Sequence, residues 1–534
     1  MPAKSTKPTK SKKKNVNTRA VVNDRGAAAD GAPEGWNVLV YMAADNNLKE
    51  ESVYSLTEIR EAIRKPELTV TVQLDSGDAV RLFEFEPIEP DDDGLGTFGI
   101  QNENGATPVK PKIKPLTAVG KSIISNPKIL QRLSDAEMLE EFVNQKLSLK
   151  KNNLVVLSGH GSGAVGDFMT TNNPPNFLSI PDIRSVLSEA RGKIDRKIEI
   201  LGMDSCLMSM VEVCYELREE VQFLIGAEGF ARNAGWPYRQ ILRAMQKDLT
   251  IAPKNLARKI VDQYIDFYSP YTMSGVSVDQ SVCDLSQMNT LKDAVLGLAD
   301  MLRDRFKEEV GLEPENRKIE SIVLLAHWRA QSYKLEQYID LWDFCSWLAK
   351  YCNEGDPIRE KCQNVHLAIN GKTDIIPQPP TSGTPAILLS CYSGGAFQYS
   401  KGLSIYFPWA KSDLDRSLPF YKELSFARDT HWADFLAIYG EQTQRKPNED
   451  KTNKSAGGDK VLTPMSVEIE IGLGFLEGVR TNRLENTKTN RLENTKGGRA
   501  VFPMVKNPPD KFLKFDDDCV LEEEKTFISP AGTA

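Results

Sequence analysis

The chain has 534 residues, 40% of them hydrophobic and 26% charged, which is enough apolar material for a large core and for more than one structural unit. Its formal charge of −7 is unevenly spread, because residues 1–34 carry eight Lys or Arg against three acids and leave the remainder more acidic than the total suggests. No apolar run approaches the ~20 residues that span a bilayer, and Met1 to Lys14 lacks the apolar centre of a secretory signal, so the expected location is cytoplasmic and no membrane partner is expected.

In chain order, residues 1–34 read as a basic disordered leader. The leader has no aromatics to stack on bases and no amphipathic helix, so nucleic acid is disfavoured as its partner. The spacing then predicts a buried strand over Trp36 to Asp45, a helix over Leu48 to Ile63, a strand over Leu68 to Leu74 and half of a hairpin over Val80 to Phe85. Residues 86–128, rich in Pro, Gly and Asp, read as an irregular excursion, and a helix follows from Ala136 to Leu147.

Two apolar runs come next, Leu154-Val155-Val156-Leu157 and Ile198-Glu199-Ile200-Leu201, each a short buried strand ending at a reactive residue. The first runs into Ser158-Gly159-His160-Gly161-Ser162-Gly163 and the second into Asp204-Ser205-Cys206. Between them Ile180 to Arg191 has helical spacing with Pro181 in its first turn, which makes a strand-helix-strand unit. Parallel strands open their carboxyl ends into a common crevice, where an imidazole can generate the thiolate that attacks a carbonyl. A buried structural cysteine and an ordinary Gly-His-Gly turn explain the same residues. The glycine-rich loop Gly159 to Gly166 lacks the Lys-Ser/Thr ending of a phosphate-binding loop.

These segments resemble the clostripain-type cysteine peptidases of the caspase-like clan. Ser158 to Gly163 and Asp204-Ser205-Cys206 match that pattern, with Ser205 in place of the commoner alanine, and so do Trp36 to Leu48, Gly235-Trp236-Pro237-Tyr238, Gly402 to Pro408 and the aromatic positions of Tyr421 to Leu436. The resemblance covers roughly residues 35–440. It implies a caspase-like α/β fold with a mainly parallel sheet flanked by helices. It also implies a cysteine endopeptidase in which Cys206 is the nucleophile, His160 the acid and base, and the N–H groups of Gly161 and Cys206 the oxyanion hole.

Asp204 lies two residues before Cys206, so on a strand the two side chains point the same way. In the family the matching acid selects Arg or Lys at P1, giving protein or peptide substrates with a basic P1 residue. Asp204 equally suits an N-cap, because Leu207 to Arg218 has helical periodicity. Glu228 is a second acid that could line the same pocket, although a lone loop carboxylate is ordinarily solvated. Gly161 to Ile183 contains no Lys or Arg, so self-cleavage in that loop is not expected. The alternatives are an enzyme active without processing, a cut near Arg191, Lys193, Arg196 or Lys197, or an activating partner. A catalytically silent or partner-gated peptide-binding protein on the same scaffold is the rival reading.

No cofactor and no metal site are expected. Acidic stretches such as Asp91-Asp92-Asp93 lack the spacing of an EF-hand, which leaves calcium dependence open. Eight cysteines without Cys-x-x-Cys pairing argue against a zinc ribbon, and burial is expected for Cys345, Cys352 and Cys362, in or near a helix starting around Leu335. His327, His366 and His431 read as structural, with His366 in a strand-like Val365 to Ile369. The expected domains are a peptidase domain over 35–440, with a catalytic core over 35–250 and a helical lobe and late strands over 251–440. Residues 441–534 form a linker and extension, with a strand at Val467 to Ile471 and an exact tandem octapeptide at 481–496 that suits an exposed loop.

Overall fold

The computed structural model describes residues 35–85 and 128–443, except 132, 167, 173–174, 313–317, 335–336, 374 and 377–382. The basic leader, most of the 86–128 excursion and the octapeptide lie outside the described residues. Fourteen strands are found among those described: β1 (Trp36–Ala43), β2 (Thr69–Asp75), β3 (Val80–Glu84), β4 (Lys128–Leu130), β5 (Asn152–Ser158), β6 (Phe168–Asn172), β7 (Pro175–Leu178), β8 (Ile198–Asp204), β9 (Val221–Gly226), β10 (Val278–Asp284), β11 (Ser332–Tyr333), β12 (Tyr338–Asp340), β13 (Ile387–Ser393) and β14 (Ser404–Tyr406).

Nine of them form one sheet in the order β13-β10-β9-β8-β5-β1-β2-β3-β4. The five central strands are parallel neighbours, β2 with β1, β1 with β5, β5 with β8 and β8 with β9. The outer pairs are antiparallel, so the sheet is mixed, with its parallel part at the centre. A parallel centre covered on both faces requires strands that are apolar throughout, and β1 and β8 are buried at every position.

The alternation along β1 feeds two cores. Val38, Val40 and Met42 face one side with Leu56, Ile59, Ile241 and Ile260, which belong to the helices Lys49–Ala62, Tyr238–Lys247 and Pro253–Tyr268. Leu39 and Tyr41 face the other side with Leu139, Leu187 and Val213. The predicted lobe is present as the helices Met288–Glu308, Lys318–Arg329, Leu341–Tyr351 and Pro357–Asn370 with the small sheet β11-β12-β14, and its buried residues continue this second core without a break. None of the helices described is long and apolar enough to cross a membrane.

Two local expectations are corrected. The helix predicted from Leu207 is confined to Val211–Glu216, because Leu207 takes a left-handed φ of 63° and Met210 bridges in extended form to Ser404. His366 sits in the helix Pro357–Asn370 rather than in a strand. Asp356 caps that helix at its start and Gly371, at φ 72°, closes it, so the caps override the β-branched look of Val365 to Ile369. The ring of His366 stacks on Trp342 with centroids 3.9 Å apart, and Cys345, Cys352 and Cys362 are buried, as expected.

Phe407 is the hub of the lobe. Its ring is fully buried against His327 at 4.0 Å, Tyr439 at 4.9 Å, Phe344 at 5.4 Å and Phe435 at 5.5 Å. Truncation to Phe407→Ala is expected to destabilise the protein by ~3–5 kcal/mol, read from the midpoint of denaturant unfolding. A loss below ~1 kcal/mol would show that the aromatic cluster closes the gap.

Candidate active site

The β5–β8 pairing creates the site. Ser158 lies opposite Asp204 in parallel register, and the N–H of Gly159 donates to the Asp204 carbonyl across the strand ends. His160 and Cys206 therefore each stand two residues beyond a paired position on adjacent strands. Both residues line the same pocket, which also draws Leu48, Glu51, Arg232 and Gly235 from neighbouring segments.

His160 is half-exposed, and its Nε2 lies 2.6 Å from Asn47 Oδ1. Because that oxygen can only accept, Nε2 donates, and the neutral ring keeps its lone pair on Nδ1. The sequence does not single out Asn47, because nothing in Asp45-Asn46-Asn47 signals which of the three reaches the imidazole. Cys206 is 7% exposed, and its thiol donates to the Ala231 carbonyl at 3.7 Å. The backbone around it is fixed by Leu207 N–H to Gly229 carbonyl at 2.9 Å and Ser209 N–H to Ala227 carbonyl at 2.8 Å.

Gly161 packs directly on this turn. A Cβ there would sit 2.2 Å from the Cys206 carbonyl oxygen and 3.1 Å from the Cys206 nitrogen, so only glycine allows the two backbones to approach. The following loop is held from the lobe: Lys334 Nζ at 2.8 Å and Tyr338 OH at 2.6 Å both donate to the Ser162 carbonyl. The Tyr338 ring also occupies the space a Cβ would need at Gly163.

Asp204 lies at the buried floor of the pocket and caps no helix. Its Oδ2 accepts from Tyr238 OH at 2.8 Å and Ser158 Oγ at 3.1 Å, and the carboxylate also takes the Trp236 N–H. Burial pushes its pKa up to about 6 against those three donors. Gly235 leaves room for it, since a Cβ there would lie 2.9 Å from the carboxylate.

Glu228 is corrected. It is fully buried, does not line the pocket, and accepts the Gly402 N–H at 2.6 Å. Burial, then the nearby charges of Asp340 and Asp279, push its carboxyl well above the usual range, so it keeps a proton that it offers to Asp340. Asp279, pushed up to about 7 by burial, clamps the Glu228 and Gly229 N–H groups at 2.7 and 3.0 Å. These acids brace the segment that packs on the Cys206 turn. Of the basic residues suggested as cleavage points, Arg191 and Lys193 lie in the last turn of the helix Ile180–Ile194, and Arg196 bonds Glu199 and three backbone carbonyls. Among the described residues no group of three His, Cys, Asp or Glu side chains is arranged to hold a metal.

The model of the clostripain family, peptidase C11, matches residues 40–439. No curated protein matches the chain. Among solved structures, a secreted C11 cysteine protease from Bacteroides thetaiotaomicron in complex with an irreversible peptide inhibitor is 15% identical, with a TM-score of 0.50 over 74% of this chain and 99% of its own. An inactive zymogen C11 protease from Parabacteroides distasonis is 18% identical, with a TM-score of 0.49 over 76% of this chain and 99% of its own. A secreted C11 cysteine protease from Bacteroides thetaiotaomicron described as iotapain is 16% identical, with a TM-score of 0.45 over 75% of this chain and 100% of its own. The first of these shares the caspase-like α/β fold expected from the sequence. The cytoplasmic expectation is corrected: the first of these C11 proteases is described as secreted, and a basic start without an apolar segment does not decide the compartment.

The Glu228 proton makes stability depend on pH. The folded chain holds it more tightly than an unfolded glutamate with its pKa of about 4.3, so the contribution is full below that pH and is lost as pH rises. Glu228→Gln can still accept from Gly402 and donate to Asp340. Its melting midpoint is expected to gain on the unsubstituted protein as pH goes from about 5 to about 8. Parallel melting profiles over that range would show that no such proton is held.

Proposed function

The chain belongs to the clostripain family, and from its site we propose that it is a cysteine endopeptidase that cleaves after Arg or Lys through Cys206 and His160. The observation that carries this reading is that both side chains, brought to adjacent parallel strand ends, open into one pocket floored by Asp204. Protein or peptide substrates follow from that chemistry.

In this mechanism His160 takes the Cys206 proton and the thiolate attacks the scissile carbonyl carbon. The carbonyl electron pair moves to oxygen, where the N–H groups of Gly161 and Cys206 stabilise it. Collapse breaks the C–N bond, and the imidazolium gives its proton to the leaving amine, leaving a thioester on Cys206. Water then enters, loses a proton to His160 and releases the acid with the thiol restored. Asn47 holds the imidazole by its far nitrogen and acts as a positioning residue, because it orients the ring without touching the reacting atoms.

Fluorogenic peptides with Arg, Lys, Asp or Ala at P1 test the proposal. Release from Arg and Lys that disappears in Cys206→Ala is expected, while tight peptide binding without turnover would favour the gated binding protein, and release from Asp alone would overturn the basic preference. Asn47→Ala is expected to lower kcat by roughly tenfold with KM nearly unchanged, since only the orientation of the base is lost. A KM effect without a kcat effect would count against that role.

A further inference from the structure

The charges lining the pocket do not add up to a basic-specific site on Asp204 alone. Arg232 lines the same pocket and offsets one negative charge, and the Asp204 carboxylate already accepts from Tyr238, Ser158 and Trp236. A guanidinium arriving from a substrate would meet an acid with most of its lone pairs in use and a like charge nearby.

Glu51 is the other acid on the pocket wall. It lies in the first turn of the helix Lys49–Ala62, is 4% exposed, and is followed by Ser52 and Ser55, which line the pocket with it. The amino-terminal end of a helix favours a carboxylate at that position. With Glu51 counted, the lining carries two carboxylates against one guanidinium. Without it, the charges cancel.

We infer that Glu51 is a specificity-determining residue, the carboxylate that makes the pocket anionic and pairs with the cationic P1 side chain opposite Asp204. This rests on the reading of the chain as an endopeptidase with a basic preference. An acid on a helix and an acid on a strand end reach a P1 cation from two directions. A planar guanidinium spanning both gains directed hydrogen bonds as well as charge. A citrulline side chain has almost the same shape but no charge, so it isolates the electrostatic part.

The experiment compares kcat/KM for peptides with Arg or citrulline at P1 in the unsubstituted protein, Glu51→Gln and Glu51→Asp. The Arg-to-citrulline ratio is expected to fall by about tenfold or more in Glu51→Gln and to be largely kept in Glu51→Asp, which retains the charge. Equal loss on both substrates, or in both variants, would mean a structural role and overturn the inference. Labelling of Cys206 by iodoacetamide at an unchanged rate shows that the variants are folded at the site. If the unsubstituted protein prefers Arg but Glu51→Gln keeps the ratio, Glu51 alone is excluded. If the unsubstituted protein shows no preference for Arg over citrulline, the inference and the basic-P1 reading both fail.

Discussion

The parallel pairing of β5 with β8 governs the arrangement of this protein. Ser158 opposite Asp204 sets two chain segments at equal height, and everything catalytic is counted from that pair: Gly159 bonds across it, His160 and Cys206 follow it, and Gly161 packs on the Cys206 turn. A slip of one residue would turn each side chain to the opposite face. The pairing is protected by being central, with two further parallel strands on one side and one on the other.

Around that pair the chain places acids at two depths. Asp204 and Glu51 face the pocket, whereas Glu228, Asp279 and Asp340 are sealed behind it and tied to backbone N–H groups. The distinction is one of partners. A carboxylate that takes several main-chain donors from distant segments works as a joint, and Asp340 does this for Lys401 and Asp343 while sharing the Glu228 proton. Glu212 acts in the same way, accepting the Tyr406 N–H and the Tyr421 hydroxyl, with burial pushing it up to about 7. The lobe and the sheet are thus connected by buried polar contacts as well as by a continuous apolar core.

The central strands and the helices beside them were legible because their signals are local. The apolar runs at Val38, Leu154 and Ile198 and the helical spacing after Ile180 need no distant partner. Their observed bounds differ from the reading by a few residues at most. The failures have the opposite character. Leu207 to Met210 looks helical, yet Ser404, far along the chain, pairs with it and unwinds the first turn. Glu228 looks like a solvated loop acid because Gly402 and Asp340, which bury it, are contributed by the lobe. Asn47 and Glu51 were missed for a related reason, since their importance depends on which way one helix and the turn before it face the strand ends.

The contact between the lobe and the Ser162 carbonyl ties the catalytic loop to a second part of the fold. Lys334 and Tyr338 belong to the small sheet and its approach, not to the parallel strands, yet they hold the loop that presents His160 and Gly161. Tyr333, Tyr338 and Ile339 are fully buried in the same core as the large sheet, so the glycine loop is clamped between two close-packed parts of one body. A substitution that shifts β11 or β12 is therefore felt at the His160 loop through packed side chains, although no residue of the lobe belongs to the dyad.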